Sequence, residues 1–125
     1  MNFHFKQALE EAKRSQTIEG YAETILRSSI KGLHKFRISD IDVIHFAIIQ
    51  PKSPIPSRIH VFVRYRGVGI FEEIYISDFY IADVEVFSVF ETVEKHLRDE
   101  GFDCKYVDLN STTYPNNILR FKIHI

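Results

Sequence analysis

The chain has a single cysteine, Cys104, so it cannot form an internal disulfide bond. A secreted domain stapled by disulfides is therefore excluded, and a reducing compartment is indicated. Long apolar runs are also missing: no stretch approaches the ~18 residues of a membrane span. The N-terminus has a charge at Lys6 and no apolar run of the length that a signal peptide needs. We expect a cytoplasmic protein that does not enter a membrane.

Tryptophan is absent, whereas the chain has 11 phenylalanines and 6 tyrosines. Aromatic and β-branched residues favour strands, so we expect a core built largely on a sheet. With 125 residues, of which 45% are hydrophobic and 26% charged, the chain has the size and composition of one ordinary globular domain. It shows no repeat, no low-complexity tract and no linker, which predicts a single domain over residues 1–125.

Charge is segregated along the chain although the net charge is only -1. Residues 1–69 carry 11 basic and 6 acidic residues, whereas residues 70–103 carry 2 basic and 10 acidic residues. This pattern indicates opposed charged surfaces if the fold keeps the segments apart. The alternative is that charges on helices and strands interleave and cancel.

Hydrophobic periodicity predicts the elements. Residues 3–31 have helical spacing, with Thr17 and Gly20 as a cap and a break between two shorter helices, and Lys31-Gly32 as a stop. A second helix is predicted over 84–100, capped by Asp83 and ended by Gly101. Strands are predicted at 43–49, 58–66, 70–77, 103–109 and 118–125. The first of these is apolar on both sides, which indicates a central position.

These elements predict an α+β fold of order α-β-β-β-α-β-β, with a largely antiparallel five-stranded sheet and helices packed on one face. A two-residue turn at Val68-Gly69 would join the second and third strands. That register pairs Arg64 with Glu73 and Phe62 with Tyr75. The last strand alternates as well, and we expect it to leave an edge that could pair with another copy.

One sheet face is predicted to be basic and aromatic, because residues 58–66 alternate between apolar and basic or aromatic side chains. We expect this face to be the binding site. Its predicted residues are Arg58, His60, Phe62, Arg64, Arg66, Tyr75, Arg120, Lys122 and His124. Such a face suits single-stranded nucleic acid, in which bases stack on rings and phosphates meet cations. It is equally compatible with a protein partner, or with a solvated face on which Arg64 pairs with Glu73.

Catalytic patterns are weak. The order α-β-β-β-α-β resembles that of the restriction-endonuclease-like nucleases, which would imply metal-dependent phosphodiester cleavage by acids and a lysine. The candidate acids are Asp40, Asp42, Glu72 and Glu73, but neither of the glutamates is followed by lysine at the spacing that this family uses. The histidines at 45, 60 and 124 would form a zinc site only if they converged. We expect neither metal nor cofactor.

The sequence thus predicts a non-enzymatic binding module, most simply a small protein-interaction or inhibitor-like protein that uses the sheet face or the acidic second helix. A nucleic-acid-binding protein is the first alternative. A subunit of a homo-oligomeric or virion-type assembly is the second.

Overall fold

The computed structural model describes residues 3–49, 58–67, 69–77, 83–106 and 118–122. Over these residues the chain forms three α-helices and five strands, which confirms the α+β class. The long N-terminal helical segment is two helices. In chain order the elements are α1 (Phe5–Ser15), α2 (Ile18–Leu33), a 3-10 turn (Ile38–Asp40), β1 (Ile41–Ile49), β2 (Arg58–Tyr65), β3 (Phe71–Ile76), α3 (Asp83–Asp99), β4 (Lys105–Tyr106) and β5 (Ile118–Lys122).

The sheet has the strand order β3-β2-β1-β5-β4, and every neighbouring pair is antiparallel. The apolar strand β1 lies at the centre, as predicted from its two apolar sides. The expectation that the last strand leaves a free edge is wrong for the described part of the sheet, because β5 lies between β1 and β4.

The main core lies between the sheet and the helices α2 and α3. Ile44, Phe46 and Ile48 of β1 point into it, and the predicted stripe of α3 is buried. The same core takes the alternate residues Ile59, Val61 and Val63 from β2 and Leu119 and Phe121 from β5. Because side chains alternate along a strand, the intervening residues of all three strands point to the opposite face of the sheet.

The helix boundaries follow local capping chemistry. The Thr17 hydroxyl accepts a hydrogen bond from the Gly20 amide at 3.0 Å, which caps α2 as predicted. Gly101, with a φ of 96°, follows α3, and its amide and that of Phe102 donate to carbonyls of the last turn. Helix α3 begins at Asp83, whose side chain, the predicted cap, is not among those that the structure describes.

Gly32 does not end a helix, which corrects the expected left-handed stop. Helix α2 continues to Leu33, and Gly32 lies against β3. A Cβ at this position would come within 2.9 Å of the Ile74 carbonyl oxygen. Glycine is therefore required by the close approach of helix and sheet.

The predicted hairpin register between β2 and β3 is also wrong. The structure pairs Arg64 with Phe71 and Phe62 with Glu73, and a β-bulge then shifts the register so that Val61 pairs with Tyr75. This register leaves six residues between the paired Arg64 and Phe71, so it differs from that of the predicted two-residue turn. At the end of β2, Tyr65 pairs with Ile41 of β1. The next amide, that of residue 66, donates to the Asp40 carbonyl at 2.9 Å.

We expect Gly32→Ala to lower the free energy of unfolding by about 1 kcal/mol, because overpacking against the Ile74 backbone outweighs the gain in helix propensity. Urea denaturation measures this value. Gly69→Ala is the matched control, since a Cβ there meets nothing within 4 Å. Equal stability of the Gly32 variant and the wild type would contradict the close packing of α2 on β3.

Candidate binding face of the sheet

The sheet face opposite α2 and α3 carries the candidate site, and we call it the outer face. At its centre are Val43, His45 and Ala47 of β1, which are all buried although they do not belong to the main core. Cross-strand register places the surrounding residues, since directly paired residues share a face. These are His60, Phe62 and Arg64 of β2, Phe71 and Glu73 of β3, and Arg120 and Lys122 of β5.

Most of the predicted site residues therefore lie together. His60, Phe62 and Arg64 pair with Ala47, His45 and Val43 on one side of β1. Arg120 and Lys122 pair with His45 and Val43 on the other side. Arg58, opposite Ile49, continues the row on β2. The predicted basic residues of this face thus lie on β2 and β5, on either side of β1.

Three predicted site residues are not placed on this face. Tyr75 pairs with Val61 and packs against the main core, because the bulge in β3 reverses the alternation. Arg66 lies in the turn after β2 and is exposed there. His124 lies outside the described residues.

Two ion pairs lie on the outer face, and neither is the expected pair of Arg64 with Glu73. Arg64 instead donates to the Asp42 carboxylate at 2.9 Å, and this hydrogen bond holds the pKa of Asp42 below its usual value. Glu73 lies 2.6 Å from His60 Nδ1. The register explains the exchange, because Glu73 is opposite Phe62 and beside His60 rather than opposite Arg64.

His45 is the residue whose role the sequence did not predict. Its ring is 3% exposed and stacks on Phe71 with centroids 4.2 Å apart. Within the described part of the chain, no hydrogen-bond partner reaches its Nε2. Burial, reinforced by the charges of Arg120 and Arg64, lowers the pKa of His45 to about 4. The centre of this basic face is therefore a neutral imidazole at neutral pH.

The four candidate acids each have their own surroundings in the described part of the chain, while His124 of the candidate zinc site lies outside it. Asp42 and Glu73 have the partners described above, while Glu72 accepts a hydrogen bond from Tyr65 at 3.2 Å on the helix side of the sheet. Asp40 lies 3.8 Å from Arg37. Over the described ranges, no cluster of three or more His, Cys, Asp or Glu side chains could hold a metal ion. The acids therefore do not form the metal centre that the nuclease resemblance implies.

Comparison with known proteins finds no matching family, no matching curated protein and no matching solved structure. None of the helices in the described residues has both the length and the apolar character needed to cross a membrane.

We expect acidification to destabilise the fold through His45. Its pKa is about 4 when folded against an ordinary value of 6.5, so between these values the unfolded chain binds more protons. The contribution of neutral His45 to the free energy of unfolding is fully present above about pH 6.5, and it is lost as the pH falls toward 4. Between neutral pH and about pH 4.5 the loss should be about 2 to 3 kcal/mol.

Urea denaturation at both pH values measures this loss, and His45→Gln should reduce it. The matched control is His34→Gln, at an exposed position after α2, which should leave the pH dependence in place. A pH dependence unchanged in the His45 variant would contradict this role.

Proposed function

We propose that the protein is a non-enzymatic binding module whose outer face binds an acidic surface of a partner protein. The observation that carries this proposal is the basic residues of this face on β2 and β5, which lie on either side of the buried outer residues of β1. Helices α2 and α3 do not cover it, since the core they form lies on the opposite side of the sheet.

The charge is concentrated on the side of the face formed by β5 and β4. Arg120 lies between His45 and Lys105 in the sheet, and Lys122 is the next residue along the same face. Among the described residues, Asp103 is the only acid that pairs with any of these cations, with 3.9 Å to Lys105. An acidic partner would therefore gain attraction without first breaking strong internal ion pairs.

The aromatic rings favour a protein partner over nucleic acid. Phe71 stacks on His45, and the Arg64 guanidinium lies 5.7 Å from its ring centroid on the same face. Phe62 stacks on His60 with centroids 6.1 Å apart. Single-stranded nucleic acid binds best to rings whose faces are available to bases. Here the rings are engaged with side chains of the protein itself.

The cytoplasm is the compartment that we propose for this interaction. The chain's only cysteine is a buried free thiol in the structure, and burial raises its pKa. A thiol of this kind is typical of proteins kept under reducing conditions.

We expect Lys122→Glu to weaken binding of the partner by about tenfold at low salt, since it reverses one of the charges that Lys105, Arg120 and Lys122 place on this side of the face. The measurement is capture from a nuclease-treated lysate of the native host, followed by titration with the recovered protein. Lys31→Glu is the matched control because it makes the same change on an exposed position of α2, on the other side of the sheet. Equal loss of binding in both variants would contradict a role for the outer face.

A labelled single-stranded oligonucleotide tests the nucleic-acid alternative. At about 50 mM salt, we expect the oligonucleotide to show no binding that depends on the outer face. Binding of that kind would be lost in Lys122→Glu and kept in Lys31→Glu. If such binding is seen and falls steeply with added salt, the outer face is a nucleic-acid interface and the protein-binding proposal is wrong.

A further inference from the structure

Helix α1 presents an apolar stripe that the rest of the described chain does not cover. Phe5, Ala8, Leu9 and Ala12 recur at the three- and four-residue spacing of one helix face. None of the residues in α1 is buried; Phe5 is 71% exposed and Leu9 43% exposed. Large apolar side chains aligned in this way mark an interaction surface.

Phe5 and Leu9 point away from α2 because the polar residues on the other side of α1 face that helix, whereas Ala8, at the edge of the stripe, is half-buried. Glu11, Arg14 and Ser15 of α1 line a cleft with Glu23 and Arg27 of α2. Of these, Glu11 and Arg14 lie on the side of the helix opposite Phe5 and Leu9. The large apolar residues of this amphipathic helix thus face away from the helix against which it packs.

The junction between the two helices holds α1 in this orientation. The Thr17 hydroxyl donates to the Arg14 carbonyl at 2.8 Å and accepts from the Gly20 amide. A Cβ on Gly20 would lie 2.6 Å from the carbonyl oxygens of Arg14 and Ser15, so only glycine permits this approach. The stripe therefore cannot turn onto its own chain without opening the junction.

An apolar groove lies between α2, α3 and the sheet. It has a volume of about 410 Å³ and an apolar lining that includes Leu26, Ile30, Leu33 and Leu97. Ile30, at its edge, is 56% exposed. Arg27 lines both this groove and the cleft beneath α1, so the groove and the cleft are neighbours along α2.

The charges beside the stripe and the groove are complementary. Lys6 and Lys13, seven residues apart, flank the stripe on one side. Glu100 lines the groove. The groove's other charged residues, Arg27 and His96, already pair with Glu23 at 2.7 Å and Glu19 at 2.5 Å.

We propose that α1 of a second copy of this chain docks in the groove, with Phe5 and Leu9 inserted and Lys6 or Lys13 beside Glu100. A two-fold axis near α2 makes the exchange reciprocal, so the assembly closes as a dimer. A dimer of this kind contains two helix-in-groove contacts, so it buries twice the surface area of a single contact. Stable interfaces bury roughly 1,200 Å² or more in total. This surface lies on the helix side of the sheet and is independent of the outer face.

The first test is the mass of the protein in solution by sedimentation and light scattering. We expect a dimer whose dissociation constant rises at least about tenfold in Leu9→Glu and in Ile30→Glu. Both positions are exposed in the single chain, so these variants keep the fold. Ile70→Glu is the matched control, at a residue that is 72% exposed beyond the end of β2, and should remain dimeric. A wild-type chain that stays monomeric at about 1 mM would overturn the proposal.

The second test identifies the contact. Leu9→Cys and Ile30→Cys proteins are mixed under oxidising conditions, with Cys104 buried and out of reach. We expect a disulfide between the two variants and little crosslinking of either alone. Efficient crosslinking of Leu9→Cys to itself would show that two α1 helices pair directly, and the docking of α1 in the groove would then be wrong.

Discussion

The burial of β1 on both faces is the constraint on which the rest of the structure depends. On one side Ile44, Phe46 and Ile48 enter the core beneath the helices, and on the other Val43 and Ala47 are equally inaccessible. A strand that is closed on both faces needs neighbours on both edges, and β2 and β5 supply them. The central strand therefore determines which residues its neighbours turn toward the outer face.

Much of this architecture could be predicted because it follows from local patterns. The alternation of β2, the apolar character of β1 and the stripe of α3 each determine the side to which residues point. The basic composition of the outer face follows directly, which is why Arg64, Arg120 and Lys122 were predicted together. Helix ends at Thr17 and Gly101 were predictable for the same reason, since capping is a matter of a few adjacent residues.

The incorrect predictions have a common physical origin in contacts between distant parts of the chain. The bulge in β3 reverses the direction of Tyr75, and no alternating pattern reveals an inserted residue. Gly32 was predicted to end a helix because a glycine after Lys31 is a local stop signal. Its actual role depends on a contact with Ile74, which is distant in sequence. The role of His45 depends on Phe71 and on two arginines from different strands, so its environment exists only after the sheet has formed.

The pairing of β1 with β5 has a consequence for synthesis of the chain. Ile49 and Ile118, at the facing ends of these strands, are separated by 69 positions, yet β5 supplies one of the two edges of the central strand. At ordinary translation rates that interval lasts on the order of ten seconds. During this interval the edge of β1 that later pairs with β5 has unpaired backbone hydrogen-bonding groups, and its apolar side chains are not yet fully covered. Nascent chains of this protein should therefore depend on chaperones, or on the shelter of the ribosome, until residue 122 has emerged.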